Sequence, residues 1–222
     1  MIGSAMVAQI VGLKLLQEGH EVMISSRDIT QEKKGFPSAK GWADENTKNG
    51  FKAYSGTFTE AAKFGELLIN VTSGAHSIEA LTSAGKENLG TKILIDVANP
   101  LDFSRGMPPS LTVVNTTSLG EEIQKEFPEV KVVKTLNMIN ASVMVDPAIL
   151  KGEHDLFICG NDSDAKNTVK EEILKKSLKW KNVIDLGDIS AARGMEMYLV
   201  LWITLMNKLG TAQFNLHIQK EE

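Results

Sequence analysis

The feature that most constrains this chain is a pair of short, almost uninterrupted aliphatic runs, Glu66-Leu67-Leu68-Ile69-Asn70-Val71-Thr72 and Lys92-Ile93-Leu94-Ile95-Asp96-Val97-Ala98. A strand with one wet face alternates polar and apolar residues, whereas a run that is apolar at nearly every position belongs to a parallel sheet covered on both sides. Parallel strands need crossover connections, usually helices. The sequence supplies them. Residues 4–18 place Val7, Ile10, Val11, Leu15 and Leu16 at helical spacing and stop at Gly19. Residues 39–49, 57–64, 78–89, 118–127 and 164–178 read as further helices, the fourth opening on Ser118-Leu119-Gly120-Glu121, close to a capping box. Residues 21–25, 51–54, 130–136, 155–159 and 182–186 read as strands. This alternation specifies an α/β fold with a doubly wound, mostly parallel sheet. Only Met1 and Ile2 precede the first turn, where a central strand wants five or six residues, so the first strand is expected to be truncated and unable to bridge the middle of the sheet.

That first turn carries chemistry. Gly3, Ala5 and Ala8 occupy the three glycine places of a G-x-G-x-x-G pattern opening a helix, the signature of a Rossmann dinucleotide site. Alanine is tolerated at the third place; at the second, the Ala5 methyl pushes a pyrophosphate outward. Ser4, Ala5, Met6 and Val7 open the helix with free N–H groups and the positive dipole end, which suits a phosphate. The following strand ends in Ser26-Arg27 rather than in an acidic residue, and Asp28 comes one place too late for the ribose 2′-hydroxyl. A guanidinium there accommodates the 2′-phosphate of NADP. Charge-assisted bonding of about 1.5–3 kcal/mol is enough for roughly ten- to hundredfold selectivity over NAD. Lys33 and Lys34 can extend this anion site, and Arg27 can instead pair with Asp28. Further along, Thr72-Ser73-Gly74-Ala75-His76 and Asn99-Pro100 follow the two aliphatic strands, at the end where ligands of open α/β sheets lie.

Composition narrows the remaining options. A chain of 222 residues, 42% hydrophobic and 23% charged, buries a substantial core, and a net charge of −4 without basic runs argues against nucleic acid as a partner. The single cysteine, Cys159, lies in an apolar strand and reads as an inert buried thiol. No signal sequence is apparent, and the most apolar stretch, residues 198–206, is too short to cross a bilayer; a soluble cytoplasmic protein is expected. Residues 189–209 are apolar on almost every side, which calls for burial all round. The expected organisation is a nucleotide-binding domain over residues 1–187 and a C-terminal helical segment over 188–222 that packs on it and forms a homodimer interface. Arg193 and Glu196, three apart, can pair with each other.

Several stretches together resemble the NADP-dependent oxidoreductase family typified by NADPH:coenzyme F420 reductase, whose Rossmann domain is also similar to the reductase domain of membrane ferric reductases. They are Gly19-His20-Glu21-Val22 with Ser26-Arg27-Asp28, Asn99-Pro100-Leu101, Ser118 to Glu121, Lys134-Thr135-Leu136-Asn137 with Asn140, and Asp185-Leu186-Gly187-Asp188 leading to Ala192-Arg193. The resemblance implies a nicotinamide near Thr72, Ser73, Asn99 and Pro100, an electron acceptor near Asn137, Met138 and Asn140, and Ser26 and Arg27 on the 2′-phosphate. It implies hydride transfer between NADPH and a deazaflavin (F420) or flavin. Such a step needs alignment and no obligatory acid or base, so no catalytic side chain and no metal ligand are assigned. Two other readings stay open: an NADP-dependent dehydrogenase of a small hydroxy or imino acid, with His76 or Lys134 as proton donor, and a non-catalytic NADP-binding sensor.

Overall fold

The computed structural model describes residues 1–32 and 35–221; Lys33 and Lys34 of the expected anion site lie outside the described residues. The chain opens with α1 (Met6–Gln17), β1 (Val22–Ser25), α2 (Ala39–Lys48), β2 (Ala53–Gly56), α3 (Phe58–Phe64) and β3 (Leu67–Asn70). It continues through α4 (Ser77–Ala84), α5 (Lys86–Leu89), β4 (Ile93–Asp96), a small antiparallel ribbon of β5 (Leu101–Asp102) and β6 (Ser110–Leu111), α6 (Leu119–Glu126) and β7 (Lys131–Thr135). Then come α7 (Ala141–Val145), β8 (Asp155–Cys159), α8 (Ser163–Thr168) with a π-helical continuation over Val169–Ser177, β9 (Asn182–Asp185) and α9 (Ala192–Leu209). Helix starts follow local chemistry. Thr57 and Glu60 close a full capping box on α3, and the Ser118 and Asn140 side chains accept backbone amides at the starts of α6 and α7.

Five strands form one sheet in the order β3-β4-β7-β8-β9, and β1 and β2 form a parallel pair beside it. The pairs β3-β4, β4-β7 and β8-β9 are parallel and β7-β8 is antiparallel. The link from β7 to β8 holds only the five-residue α7 and a short 3₁₀ turn. Those elements do not carry the chain back across the sheet, so β8 enters from the edge where β7 ends.

The truncated first strand does bridge the two parts, contrary to the expectation from its length. Ile2 donates its N–H to Ile69 O (2.8 Å) and accepts from Val71 N (3.0 Å). On the other side Ser25 N donates to Gly3 O (3.2 Å), Ser25 Oγ to Met1 O (2.7 Å) and the Met1 nitrogen to Met23 O (2.6 Å). Three residues suffice because successive backbone groups along a strand point to alternate neighbours: Ile2 serves β3, while Met1 and Gly3 serve β1. Residues 1–3 thus stand as a rudimentary strand between β1 and β3. Beside them, between the starts of β1 and β3, lies a cavity of about 500 Å³ lined by Met1, His20, Met23, Phe64, Leu67 and Ile173, among others.

Helices cover both faces. Val11, Leu15, Trp42, Val143, Val169 and Leu174 pack on one side with Ile24, Ile95 and Val133, and Ala62, Leu81, Leu89 and Ile123 pack on the other with Ile2, Leu68 and Leu94. By length and mean hydropathy (1.2) the segment Ile189–Leu209 could cross a membrane, yet here α9 lies against the domain. Ala192, Met195, Glu196, Leu199, Trp202 and Ile203 are buried, and Trp202 stacks on Phe214 of the tail at 5.3 Å. Leu216 O and the Ile218 amide then bond Asp155 at the start of β8. On the outward side of α9, Met197 (39%), Leu201 (53%) and Leu209 (57%) are exposed in the single chain.

Ile2 is fully buried at the junction of the two sheet parts, so Ile2→Ala, which keeps the backbone bonds and empties the side-chain site, is expected to lower the folding free energy by about 2–5 kcal/mol. The midpoint of urea unfolding measures this.

Candidate active site

The functional groove runs along the carboxyl ends of β1, β3 and β4. Gly3 starts it at φ +125°, a left-handed conformation, and a Cβ there would meet Val71 O at 3.0 Å, so the first glycine place requires glycine. Ala5 is the N-cap of α1, in extended conformation; α1 has no side-chain cap and no acidic residue in its first turn. Its first N–H groups are therefore available to an anion. Gln9 braces the turn, donating to Ser4 O (2.9 Å) and Pro37 O (2.8 Å).

Two adjoining crevices follow. The first, about 160 Å³, is lined by Gly3, Ser4, Ala5, Ser26, Arg27, Phe58, Thr72, Ser73, His76 and Glu79, among others. The second, about 200 Å³, shares Thr72 and Ser73 and adds Val7, Gly74, Val97, Ala98, Asn99, Leu101 and Phe103. Met6 is 40% exposed and lines neither. Pro100 is buried behind the second crevice, where Gly74 packs so closely that a Cβ on it would lie 2.1 Å from Asn99 O and 2.8 Å from Pro100 Cα.

Arg27 reaches Glu79 at 3.6 Å, with both side chains largely in solvent. The Asp28 carboxylate turns back onto Thr30 N and Oγ1. An exposed pair this long is worth at most about 1 kcal/mol, so a phosphate dianion displaces Glu79 readily. His76 lies 3.5 Å from the same Glu79, at the Arg27 end of the groove, and lines the first crevice only.

Behind the groove lies a buried polar network. Asn70 Nδ2 donates to Asp96 Oδ1 (2.8 Å), and its Oδ1 accepts Thr72 Oγ1 (2.7 Å). The Lys134 ammonium, wholly buried, donates to Asp96 Oδ2 (2.7 Å), Glu196 Oε1 (2.8 Å) and Ala98 O (2.5 Å). Glu196 also accepts Leu119 N (2.8 Å) and Gly120 N (3.0 Å) at the start of α6. Burial by itself lowers the Lys134 pKa, but the Asp96 and Glu196 carboxylates outweigh it and hold the ammonium above its ordinary value. Sealed and fully engaged, Lys134 is no proton donor to a substrate, which corrects the alternative that gave it this role. The anticipated Arg193–Glu196 pair is likewise replaced: Arg193 binds Glu121 (2.8 and 2.5 Å), and Glu196 turns inward. Burial pushes the Cys159 thiol up to about 12, which keeps it inert at neutral pH.

The three residues expected at the acceptor are dispersed. Asn137 is buried: its Nδ2 donates to Asn99 Oδ1 (2.9 Å), its main-chain carbonyl accepts from Asn99 Nδ2 (2.8 Å), and its Oδ1 has no hydrogen-bond partner among the described residues. Met138 belongs to the core, and the Asn140 side chain caps α7. Sequence reasoning missed Gln9, Glu79 and the Asp96–Lys134–Glu196 cluster. The last had a signal: charged residues inside two aliphatic strands and an apolar helix must find partners.

A parallel sheet opening on a glycine turn, an uncapped helix start and a strand-end arginine together define a Rossmann-type oxidoreductase of the NADP-using class. A model of the family described as NADP oxidoreductase, coenzyme F420-dependent, matches residues 1–100. The crystal structure of a protein from Arthrobacter sp. FB24, provisionally named an F420-dependent NADP-reductase, is 49% identical over 98% of this chain and 97% of that one, with a TM-score of 0.90. The F420-dependent NADP reductase of Methanocaldococcus jannaschii is 28% identical over 66% of this chain and 64% of its own length. The rat metalloreductase STEAP3 is 27% identical over 88% of this chain and 35% of its own. The chain thus spans about a third and just under two thirds of these two curated relatives. It belongs to the coenzyme F420-dependent NADP oxidoreductase family.

The pyrophosphate cradle and the strand-end guanidinium fit NADP. Arg27→Ala is expected to weaken NADPH binding about ten- to hundredfold while changing NADH binding little, as read by titrating nucleotide fluorescence; equal losses would remove Arg27 from the 2′-phosphate.

Proposed function

We propose that this protein transfers hydride between NADPH and a deazaflavin of the F420 type, or a flavin presenting the same face, held over the second crevice. The observation that carries this reading is the lining of that crevice: Val7, Val97, Ala98, Leu101, Phe103 and small polar or amide residues, with no ionisable side chain among the described residues. Reduction of a carbonyl or imine calls for a positioned proton donor, whereas hydride exchange between two flat rings calls chiefly for alignment. Good alignment lowers a barrier by up to about 7–11 kcal/mol. Two relatives carry F420 in their names, which supports the choice of acceptor.

In this reading the first N–H groups of α1 receive the pyrophosphate, Ser26 and Arg27 take the 2′-phosphate, and Thr72, Ser73 and Asn99 frame the nicotinamide. Bound NADPH supplies the hydride from its C4. Phe103, 56% exposed on the β5–β6 ribbon, offers an aromatic face to the acceptor and sheds water there. The other histidines are committed elsewhere: His20 to Ser177, His154 to Pro147 O and Asn215, and His217 to Asp155.

We also propose that a second copy covers the outward face of α9, where Met197 and Leu201 are exposed. Scattered exposed apolar residues are ordinary, but these two lie one turn apart on one helix face.

NADPH oxidation followed in parallel with F420, FMN and a panel of carbonyl and imine compounds is expected to show turnover with the ring acceptors alone; turnover confined to carbonyls or imines, or binding without turnover, would overturn the assignment. Light scattering is expected to give a dimer for the wild type and a monomer for Leu201→Glu, and a monomeric wild type at micromolar concentration would refute the interface.

A further inference from the structure

The nicotinamide end of the groove has little that could orient a ring directly, yet the peptide that borders it is held from behind. Ala98 precedes Asn99, and both of its backbone groups are taken by one ion cluster: its N–H donates to Asp96 Oδ1 (3.2 Å) and its carbonyl accepts from Lys134 Nζ (2.5 Å). Through Asn70 the same Asp96 also sets Thr72, on the facing wall. Lys134 spends all three of its N–H bonds, on Asp96, Ala98 and Glu196. Glu196 ties the cluster to α9 and to the start of α6.

Stability alone is a weak account of this arrangement. A buried ion cluster often contributes no more than apolar residues of equal volume would, because desolvation offsets the attraction. What apolar residues could not do is fix a carbonyl and an amide in place at the foot of a binding crevice. We propose that Lys134 is a positioning residue: it fixes the Ala98-Asn99-Pro100 segment against Thr72, so that the nicotinamide half of NADPH is held in one orientation, while the adenosine half is bound independently by the α1 turn and Arg27. This rests on the reading that the nicotinamide occupies the second crevice.

The experiment separates the two halves of the ligand. Adenosine 2′,5′-bisphosphate probes only the Arg27 end; NADPH probes both. Lys134→Met leaves two buried carboxylates without their cation and can fail to fold, so it is paired with a variant neutral throughout, Lys134→Met with Asp96→Asn and Glu196→Gln. Calorimetric titration is expected to give bisphosphate affinities within twofold of wild type, NADPH affinity reduced about tenfold, and a single-turnover hydride-transfer rate reduced tenfold or more. A merely structural role moves both ligands together. Equal losses for the two probes, or no loss for either, would overturn the positioning role while leaving the groove assignment intact. If the wild type binds NADPH no more tightly than the bisphosphate, the groove assignment fails and the proposal falls with it.

Discussion

The molecule depends on a backbone contact made by residues 1–3. Ile2 bonds β3 on one side, and its neighbours Met1 and Gly3 bond β1 on the other. Without that link the chain would be two sheets, one of two strands and one of five. The groove lies across it: Ser26 and Arg27 follow β1, Thr72 and Ser73 follow β3, and Gly3 turns between them. Position and chemistry coincide there, since the residue that closes the sheet is followed at once by the glycine whose φ of +125° starts the phosphate turn.

The two ends of the groove are built on different physics. The Arg27 end is exposed, with charges that water screens and a loose Glu79 partner, suited to capturing an anion from solution. The Asn99 end has no charge of its own, and its geometry is referred to a buried ammonium between two carboxylates. Fully satisfied polar networks of this kind specify one arrangement, because every alternative leaves a buried group unpaired. The same network fixes α9, whose Glu196 is the only charged residue among those that helix buries.

Much of this was legible in the amino-acid sequence. The runs ending at Thr72 and Ala98 read as central strands because burial on both faces leaves no polar alternation to confuse with a helix, and Ser26-Arg27 stood at a strand end because Gly19 ended the preceding helix cleanly. Other features depended on distant partners. Spacing put Arg193 and Glu196 on one helix face, but the choice went to Glu121 of α6 for one and to Lys134 of β7 for the other. The reversal of β8 turned on how far a five-residue α7 carries the chain, and the bridging by Ile2 on hydrogen bonds that a length rule does not count. The acceptor end is the least legible part, since Asn137, Met138 and Asn140 serve a buried amide pair, the core and a helix cap.

The link through residues 1–3 has a consequence for how the molecule holds together. Cooperativity passes between parts of a protein through the contacts that join them, and regions joined weakly open as separate units at less than the global unfolding free energy. Among the described residues, sheet hydrogen bonds join the β1–β2 pair to β3 through residues 1–3, and side chains of α1, β1 and β2 share one core with β4 and β7. The join therefore rests on side-chain packing as well as on the sheet, and a nucleotide laid across the groove would add contacts on both sides of it, at Arg27 and at Ser73.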